Sequence, residues 1–140
     1  YLNQNDDAMR IVLQTAKTIA VVGHSDNEHR TSYQIANYLR QAGYKVIPVN
    51  PTIQEIKGVT SYASLHDVPE HVDIVNVFRR SEHVAGVVNE AISIGVDAIW
   101  TQLGVIDDTA RDKALEAGID VATDLCIKVE HARLGIGRDN

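Results

Sequence analysis

Residues 18–23 have the sequence Thr-Ile-Ala-Val-Val-Gly (TIAVVG), a short apolar run that is rich in β-branched residues and ends in glycine. A run of this kind predicts a strand that is buried on both faces and is followed by a sharp turn. The spacing of apolar residues becomes helical over residues 31–42, with Thr31 or Ser32 as the expected N-cap and Gly43 as the terminating glycine. A strand, a turn and a helix in this order predict the first half of a βαβ unit.

The alternation of strand and helix continues along the chain. Further strands are predicted over residues 44–49, 72–78, 96–101 and 119–122, and further helices over residues 6–16, 81–94, 107–117 and 127–134. Residues 58–63 form a predicted irregular excursion, and Pro48 indicates that the second strand lies near a sheet edge or a bulge. Asp6 or Asp7 is the expected N-cap of the first helix, and Ser81 that of the third.

Five strands that alternate with helices favour parallel pairing through right-handed crossovers. The predicted fold class is therefore α/β: a three-layer α/β/α, doubly wound, mostly parallel five-stranded sheet of the Rossmann-like kind. The length of 140 residues fits a single domain, 1–140, and the 44% apolar and 23% charged residues are typical of a globular protein. In such sheets ligands bind outside the carboxyl ends of the strands, at the point where the winding reverses.

Charge and cysteine content exclude several classes of partner. Thirteen Lys and Arg against nineteen Asp and Glu give a net charge of −6, which disfavours nucleic acid and anionic membrane surfaces as partners. The longest strictly apolar run, residues 19–22, is too short to span a membrane. One cysteine, Cys126, excludes an internal disulfide, and no basic stretch precedes an apolar segment as in a secretory signal. We therefore expect a cytosolic protein, with a homo-oligomer left open.

The loop after the first strand has the features of a diphosphate site. Gly23 allows the backbone to approach a ligand, and the start of the following helix offers free N–H groups with a partial positive charge. Arg30 adds a full charge, and Ser25, Thr31 and Ser32 add hydroxyls. The alternative is an ordinary loop with a solvated arginine and a capping serine.

The usual dinucleotide and ATP patterns are not found in the sequence. After Gly23 no glycines follow at the G-x-G-x-x-G spacing, and the second strand ends Val49-Asn50-Pro51 without the acid that binds the ribose of NAD. A G-x-x-x-x-G-K-[ST] run is also missing. The loop therefore indicates a nucleotide bound in another mode.

Three other strand ends carry candidate ligand contacts. Phe78, Arg79 and Arg80 end the third strand. One arginine would then face the ligand phosphates while Phe78 packs against the rest of the ligand. Alternatively, both arginines are solvated and Phe78 belongs to the core. After the fourth strand, Gln102 and Gly104 offer a polar group and a close backbone approach, or form a simple turn. After the fifth strand, Cys126 is either a small buried hydrophobe or a thiol near the ligand.

The six histidines have no metal-ligand spacing, and we expect them to be polar surface residues, with His83 and His131 on helix surfaces. We expect no metal. The sequence also contains no nucleophile elbow and no Ser-His-Asp order that the predicted elements would bring together. No catalytic constellation is therefore predicted, and the expectation is a binding protein that is not an enzyme.

Six segments in order resemble the small stand-alone CoA-binding proteins of bacteria and archaea. They are residues 19–25 (IAVVGHS), 30–33 (RTSY), 43–51 (GYKVIPVNP), 72–79 (VDIVNVFR), 100–104 (WTQLG) and 124–126 (DLC). The resemblance covers about residues 10–135 and extends to the CoA-binding domain of the succinyl-CoA synthetase alpha subunit. It implies a Rossmann-like CoA-binding domain in which CoA lies across the strand ends.

The resemblance also implies roles for individual residues. Gly23, Ser25, Arg30 and Ser32 would hold the diphosphate, with His24 and Thr31 beside them. Asn50 and Pro51 would border the adenosine, Tyr62, Phe78 and Arg79 would line the middle of the ligand, and Gln102 and Gly104 would meet the pantetheine arm. Cys126 is a further candidate for a contact with the ligand. The family often has a small residue where His24 stands. The synthetase domain has a lysine just after the second-strand proline, where Thr52 follows here, and Lys57 is the nearest replacement for binding the 3′-phosphate.

We therefore expect a cytosolic protein that holds CoA or an acyl-CoA without catalysis. One alternative is an enzyme or enzyme subunit that acts on acyl-CoA thioesters through Cys126 or Gln102. A second is a redox sensor in which Cys126 forms a mixed disulfide with CoA. A third is a binding module for another nucleotide, such as NADP or FAD.

Overall fold

The computed structural model describes residues 1–137, and it confirms the α/β class and the order of the predicted elements. The helices are α1 (Asp6–Thr15), α2 (Thr31–Gln41), α3 (Val84–Ile94), α4 (Asp108–Glu116) and α5 (Ile127–Arg133). The strands are β1 (Thr18–Val22), β2 (Lys45–Val49), β3 (Glu55–Ile56), β4 (Val59–Thr60), β5 (Ile74–Val77), β6 (Ala98–Thr101) and β7 (Asp120–Ala122).

Five of the strands form one parallel sheet in the order β2-β1-β5-β6-β7. β1 pairs with β2 on one side and with β5 on the other, so that Val22 lies opposite both Val49 and Val77. The winding reverses between β1 and β5, which is where ligands bind in doubly wound sheets. β2 is an edge strand, and this position explains how the sheet accommodates Pro48.

The sheet is covered on both faces, which is why every residue of β1 is buried. Alternate residues of β1 belong to two separate hydrophobic clusters: Ala20 and Val22 to one, and Ile19 and Val21 to the other. The first cluster includes buried residues of α3 and α4, and the second includes residues of α1, α2 and α5. The uninterrupted apolar run of β1 is therefore the consequence of a three-layer arrangement.

A carboxylate joins the amino ends of the strands, opposite the edge where a ligand is expected. Asp73 accepts hydrogen bonds from the N–H groups of Lys17 and Thr18 at 2.8 and 2.9 Å. Burial opposes ionisation, but these bonds lower the pKa of Asp73. His71 lies 3.4 Å from carboxylate oxygens of both Asp73 and Asp97. Because Asp73 already accepts hydrogen bonds from the backbone, we interpret the cluster of His71, Asp73 and Asp97 as a contact that holds these segments of the fold together.

The predicted helix caps are wrong. Asn5, and neither Asp6 nor Asp7, caps α1, since its side chain accepts a hydrogen bond from the Ala8 N–H. The N-cap of α2 is Arg30, which makes no side-chain cap hydrogen bond. Several neighbouring residues could cap each helix, and the path of the preceding loop decides between them.

Ser81 is likewise not the N-cap of a regular α-helix. Residues 81–83 form a 3₁₀ turn and α3 begins only at Val84. The Ser81 hydroxyl accepts a hydrogen bond from the Ile106 N–H at 2.8 Å. This bond to another loop replaces the local cap.

The segment between β2 and β5 is more regular than expected. β3 and β4 form a small antiparallel hairpin, and its turn places Lys57 and Gly58 at φ values of +52° and +78°. Two positive values in succession are typical of the tight turns that match the twist of a hairpin. Among the described residues, no helix has both the length and the apolar character that a membrane crossing requires.

Two of the six histidines contradict the expectation of surface positions. His131 is buried in α5 and its Nδ1 lies 2.8 Å from the Tyr38 hydroxyl. His24 is completely buried. Both rings have hydrogen-bond partners from residues distant in sequence, which lowers the cost of burying their polar atoms.

Candidate functional site

Gly23 occupies a position that only glycine fits. Its φ is +87°, and a Cβ placed on it would lie 2.6 Å from the Phe78 carbonyl oxygen and 3.1 Å from Arg79 Cδ. Its N–H continues the sheet by donating to the Val49 carbonyl at 2.9 Å. The chain therefore turns directly against the end of β5, at the point where the winding of the sheet reverses.

The β1–α2 loop, residues 23–30, is closed by its own hydrogen bonds. The Ser25 N–H donates to Ser32 Oγ, and Ser25 Oγ accepts from the Asn27 N–H, both at 3.0 Å. The Asn27 side chain accepts from the His29 N–H at 2.9 Å. Ser25 and Ser32 are predicted phosphate contacts. Here Ser32 Oγ holds the loop against the start of α2 and Ser25 Oγ closes the loop on itself; both oxygens act as acceptors, so each hydroxyl can still donate to an anion.

The amino end of α2 is left open towards this loop. The first hydrogen bond of the helix runs from the Gln34 N–H to the Arg30 carbonyl at 3.1 Å. The N–H groups of Thr31, Ser32 and Tyr33 precede that bond and have no partner within the helix. Together with the helix dipole they form an electropositive site suited to an anion.

The neutral side chain of His24 supports the loop from inside the protein. Its Nδ1 lies 2.8 Å from the Ser25 carbonyl oxygen, and its Nε2 lies 3.1 Å from Arg40 Nη2. A carbonyl can only accept and a guanidinium can only donate, so Nδ1 carries the proton and Nε2 accepts. Burial, aided by the charge of Arg40, lowers the pKa of His24 to about 4. Any contact between His24 and a ligand is therefore confined to its main chain.

Arg40 brings an unbalanced positive charge beneath the loop. Its Nη1 is buried and has no hydrogen-bond partner within residues 1–137, and burial lowers its pKa. Arg40 is on the inner side of the last turn of α2, a position that the sequence analysis did not select. In the sequence, Arg40 is simply a cation within an amphipathic helix, and a cation in that position is usually solvated.

The two arginines after β5 differ in their surroundings. Arg80 is exposed and lies 3.7 Å from a carboxylate oxygen of Glu82. Arg79 is half-buried, and its stem passes beside Gly23. The prediction that one arginine faces the site while the other is solvated therefore points to Arg79.

The end of β2 forms one side of the site. The Asn50 amide donates to the His24 carbonyl at 3.0 Å, and its Oδ1 accepts from the N–H and the hydroxyl of Thr52. The Tyr62 main chain pairs with the same strand end, since its carbonyl accepts from the Asn50 N–H at 2.8 Å. Asn50 therefore fixes the β1–α2 loop, and the main chain of Tyr62 lies at this edge of the sheet. A narrow groove of about 50 Å³ beside them is lined by Pro51, Leu65 and Arg79, among others.

The ends of β5 and β6 form the other side. A groove of about 520 Å³ is lined by Thr31, Phe78, Arg79, Arg80, Gln102, Leu103 and Val105. Gln102 is buried, and among the described residues its Oε1 has no hydrogen-bond partner. Gly104 has a φ of +81°, and its N–H donates to Asp124 Oδ1 at 2.7 Å.

Two predicted residues lie apart from these grooves. Cys126 is 9% exposed and packs in the cluster on the α5 side of the sheet, in agreement with its interpretation as a small core residue. Lys57 is exposed on the hairpin, with its ammonium 5.6 Å from the centre of the Tyr33 ring. The sequence analysis also missed Asn76, which is buried in the central strand β5 and whose two amide atoms are unpaired in the part of the chain that the structure describes.

The order of the strands, the glycine turn and the open helix start together define a Rossmann-like α/β protein whose candidate ligand site lies at the switch point between β1 and β5. A family model described as CoA binding domain matches residues 17–132. The chain belongs to this family of CoA-binding domains.

Known proteins with similar sequences or structures agree with this assignment. The uncharacterized protein YneT of Bacillus subtilis is 44% identical over 130 residues, which cover 93% of this chain and 96% of that protein. A solved structure from Thermus thermophilus, described as cell-free ID.343, has a TM-score of 0.89 at 39% identity and covers 94% of this chain and 99% of that chain. An ADP-forming acetate–CoA ligase of Methanocaldococcus jannaschii is 31% identical over 80 residues, which cover 57% of this chain and 11% of the ligase. The similarity therefore extends to one part of much longer ligases.

Proposed function

We propose that the protein binds coenzyme A, with the diphosphate of the ligand at the amino end of α2. The observation that carries this proposal is the close contact of Gly23 with the end of β5. Because Gly23 has no side chain, a ligand can approach the backbone there, beside the uncapped N–H groups of α2. A diphosphate is a strong acceptor for such groups. Arg30, at the N-cap, and Arg79, beside Gly23, would add charged hydrogen bonds.

The strand order supports a direction for the rest of the ligand. β2 lies on one side of β1, whereas β5 and β6 lie on the other. A ligand anchored by its middle can therefore extend its nucleoside towards Pro51 and its pantetheine arm towards Gln102. The polar lining suits this direction, because the unpaired Gln102 Oε1 requires a donor and pantetheine carries amide N–H groups. Lys57, on the hairpin after β2, is our candidate for the 3′-phosphate.

Calorimetric titration with CoA tests the proposal, and Arg30→Ala tests its electrostatic part. We expect Arg30→Ala to weaken CoA binding by about 1–3 kcal/mol, because a hydrogen bond between charged groups is lost. Arg10→Ala is the matched control, since Arg10 lies on α1 and its ion-pair partner is the exposed Asp7. Failure of the wild-type protein to bind millimolar CoA would exclude the proposed function. Equal affinities of the Arg30 and Arg10 variants would exclude Arg30 from the site.

We propose a binding protein and not an enzyme. The thiol of Cys126, which a thioester reaction or a mixed disulfide would use, is packed in the core. Turnover of acetyl-CoA by the purified protein, and loss of that turnover in Cys126→Ala, would support the enzyme alternative.

Competition by NADP or FAD against CoA tests whether the site prefers another nucleotide. A cytosolic location is the remaining part of this proposal, and it rests on the single cysteine and the charge of the chain.

A further inference from the structure

A tight turn at residues 102–105 presents a leucine to solvent beside the candidate site. The Val105 N–H donates to the Gln102 carbonyl at 2.9 Å, and Gly104 supplies the positive φ that the third position of this turn requires. Leu103, at the second position, is 60% exposed, and Ile106, just beyond the turn, is 47% exposed. Large apolar side chains are thus placed in water next to a groove.

Three side chains outside this turn fix it by hydrogen bonds. The Thr101 hydroxyl donates to the Val105 carbonyl at 2.8 Å, and Asp124 accepts from the Gly104 N–H at 2.7 Å. The Ile106 N–H donates to Ser81 Oγ at 2.8 Å. Asp124 itself adopts a φ of +57°, a strained conformation that is uncommon outside glycine. The exposed leucine therefore has a defined position, as a contact residue requires.

The groove combines a charged, a polar and an apolar lining. Arg79 and Arg80 follow β5, and buried Gln102, Leu103 and Val105 follow the neighbouring strand β6. A cation, a hydrogen-bond acceptor and an apolar surface in one groove match a ligand with a phosphate, an amide and an aliphatic end. Two strand spacings, about 10 Å, separate β1 from β6, and an extended pantetheine arm is longer than this distance. The end of the arm would then reach Leu103.

We infer that the natural ligand is a CoA thioester with an aliphatic acyl group, which packs against Leu103 and Ile106. This inference rests on the proposed binding of CoA and specifies the class of ligand. Burial of the acyl methylenes on these side chains supplies binding energy that free CoA, which ends in a thiol, does not have. Leu103 and Ile106 would determine acyl specificity, whereas Arg30 and Arg79 would bind CoA and acyl-CoA alike.

Titrations of the wild-type protein with CoA and with hexanoyl-CoA test the inference. We expect hexanoyl-CoA to bind about tenfold more tightly, since a few partly buried methylenes supply a factor of this size. In the double variant Leu103→Ser/Ile106→Ser we expect this preference to disappear, so that both ligands bind with equal affinity. Ile11→Ser is the matched control, because Ile11 is equally exposed on α1, and it should keep the preference. Both substitutions remove exposed side chains and leave the core intact.

The possible outcomes separate this inference from the proposal on which it rests. Equal wild-type affinities for CoA and hexanoyl-CoA would overturn the acyl site and leave CoA binding in place. Binding of neither ligand would overturn the proposed function itself. A preference that persists in the double variant would exclude Leu103 and Ile106 as its cause. Dimerisation of the wild-type protein that the double variant abolishes, without an acyl preference, would identify the apolar surface as a subunit contact and overturn the inference.

Discussion

Gly23→Ala is expected to abolish CoA binding and to lower the free energy of unfolding by about 3 kcal/mol or more. The variant has to hold an alanine at a φ of +87° and to fit a Cβ that would lie 2.6 Å from the Phe78 carbonyl oxygen. The strained backbone costs about 1–3 kcal/mol, and overpacking against a backbone atom of the central sheet adds a similar amount. Either β1 separates from the end of β5 or the loop leaves its position. Urea denaturation and CoA titration measure the two effects.

Gly118→Ala separates the backbone strain from the steric contact. Gly118 has almost the same φ, +84°, but a Cβ at this position meets nothing within 4 Å. We expect a loss of only about 1–2 kcal/mol, the ordinary cost of the left-handed conformation, with CoA affinity unchanged. If Gly23→Ala were no less stable than Gly118→Ala and still bound CoA, the close approach of the turn to β5 would not be the basis of the site.

The second large effect is a loss of stability in mild acid that originates at His24. Its pKa is lowered from 6.5 to about 4 in the folded protein, first by burial and further by Arg40, although Ser25 and Asp26 oppose the shift. Below pH 6.5 the unfolded chain therefore binds a proton at this residue that the folded protein takes up only near pH 4. The difference favours unfolding, so stability falls as the pH is lowered through this window, by up to about 3 kcal/mol. Urea denaturation at pH 7, 6, 5 and 4 measures the decrease.

Two variants in the same loop test the assignment to His24. His24→Gln removes the titrating group and leaves an amide oxygen for Arg40, so we expect lower stability at pH 7 and a shallower decrease between pH 6.5 and pH 4. His29→Gln is the matched control, since His29 is exposed, and it should keep the wild-type decrease. An unchanged pH dependence in His24→Gln would show that the acid sensitivity originates elsewhere.

Much of the site could be predicted because parallel topology collects strand ends. Once TIAVVG is recognised as a doubly buried strand, the loops after the five parallel strands must meet at one edge of the sheet. Gly23, Arg79 and Gln102 were selected in this way, and the structure brings all three to that edge. The hydrogen bonds within the loop could not be predicted in the same way. The Ser25 N–H donates to Ser32 Oγ, and the composition of the loop does not specify this pairing.

The amino-acid sequence by itself therefore determined the strand and helix order, the parallel sheet and the edge at which we expect a ligand, because apolar periodicity reports which faces are buried. Only the tertiary structure decided the burial of His24 against Arg40, 16 residues away, and the exposure of Leu103 on a turn held by Asp124, 20 residues from Gly104. Periodicity reports average burial along one element, whereas these features depend on single hydrogen bonds between segments that meet only after the sheet has formed.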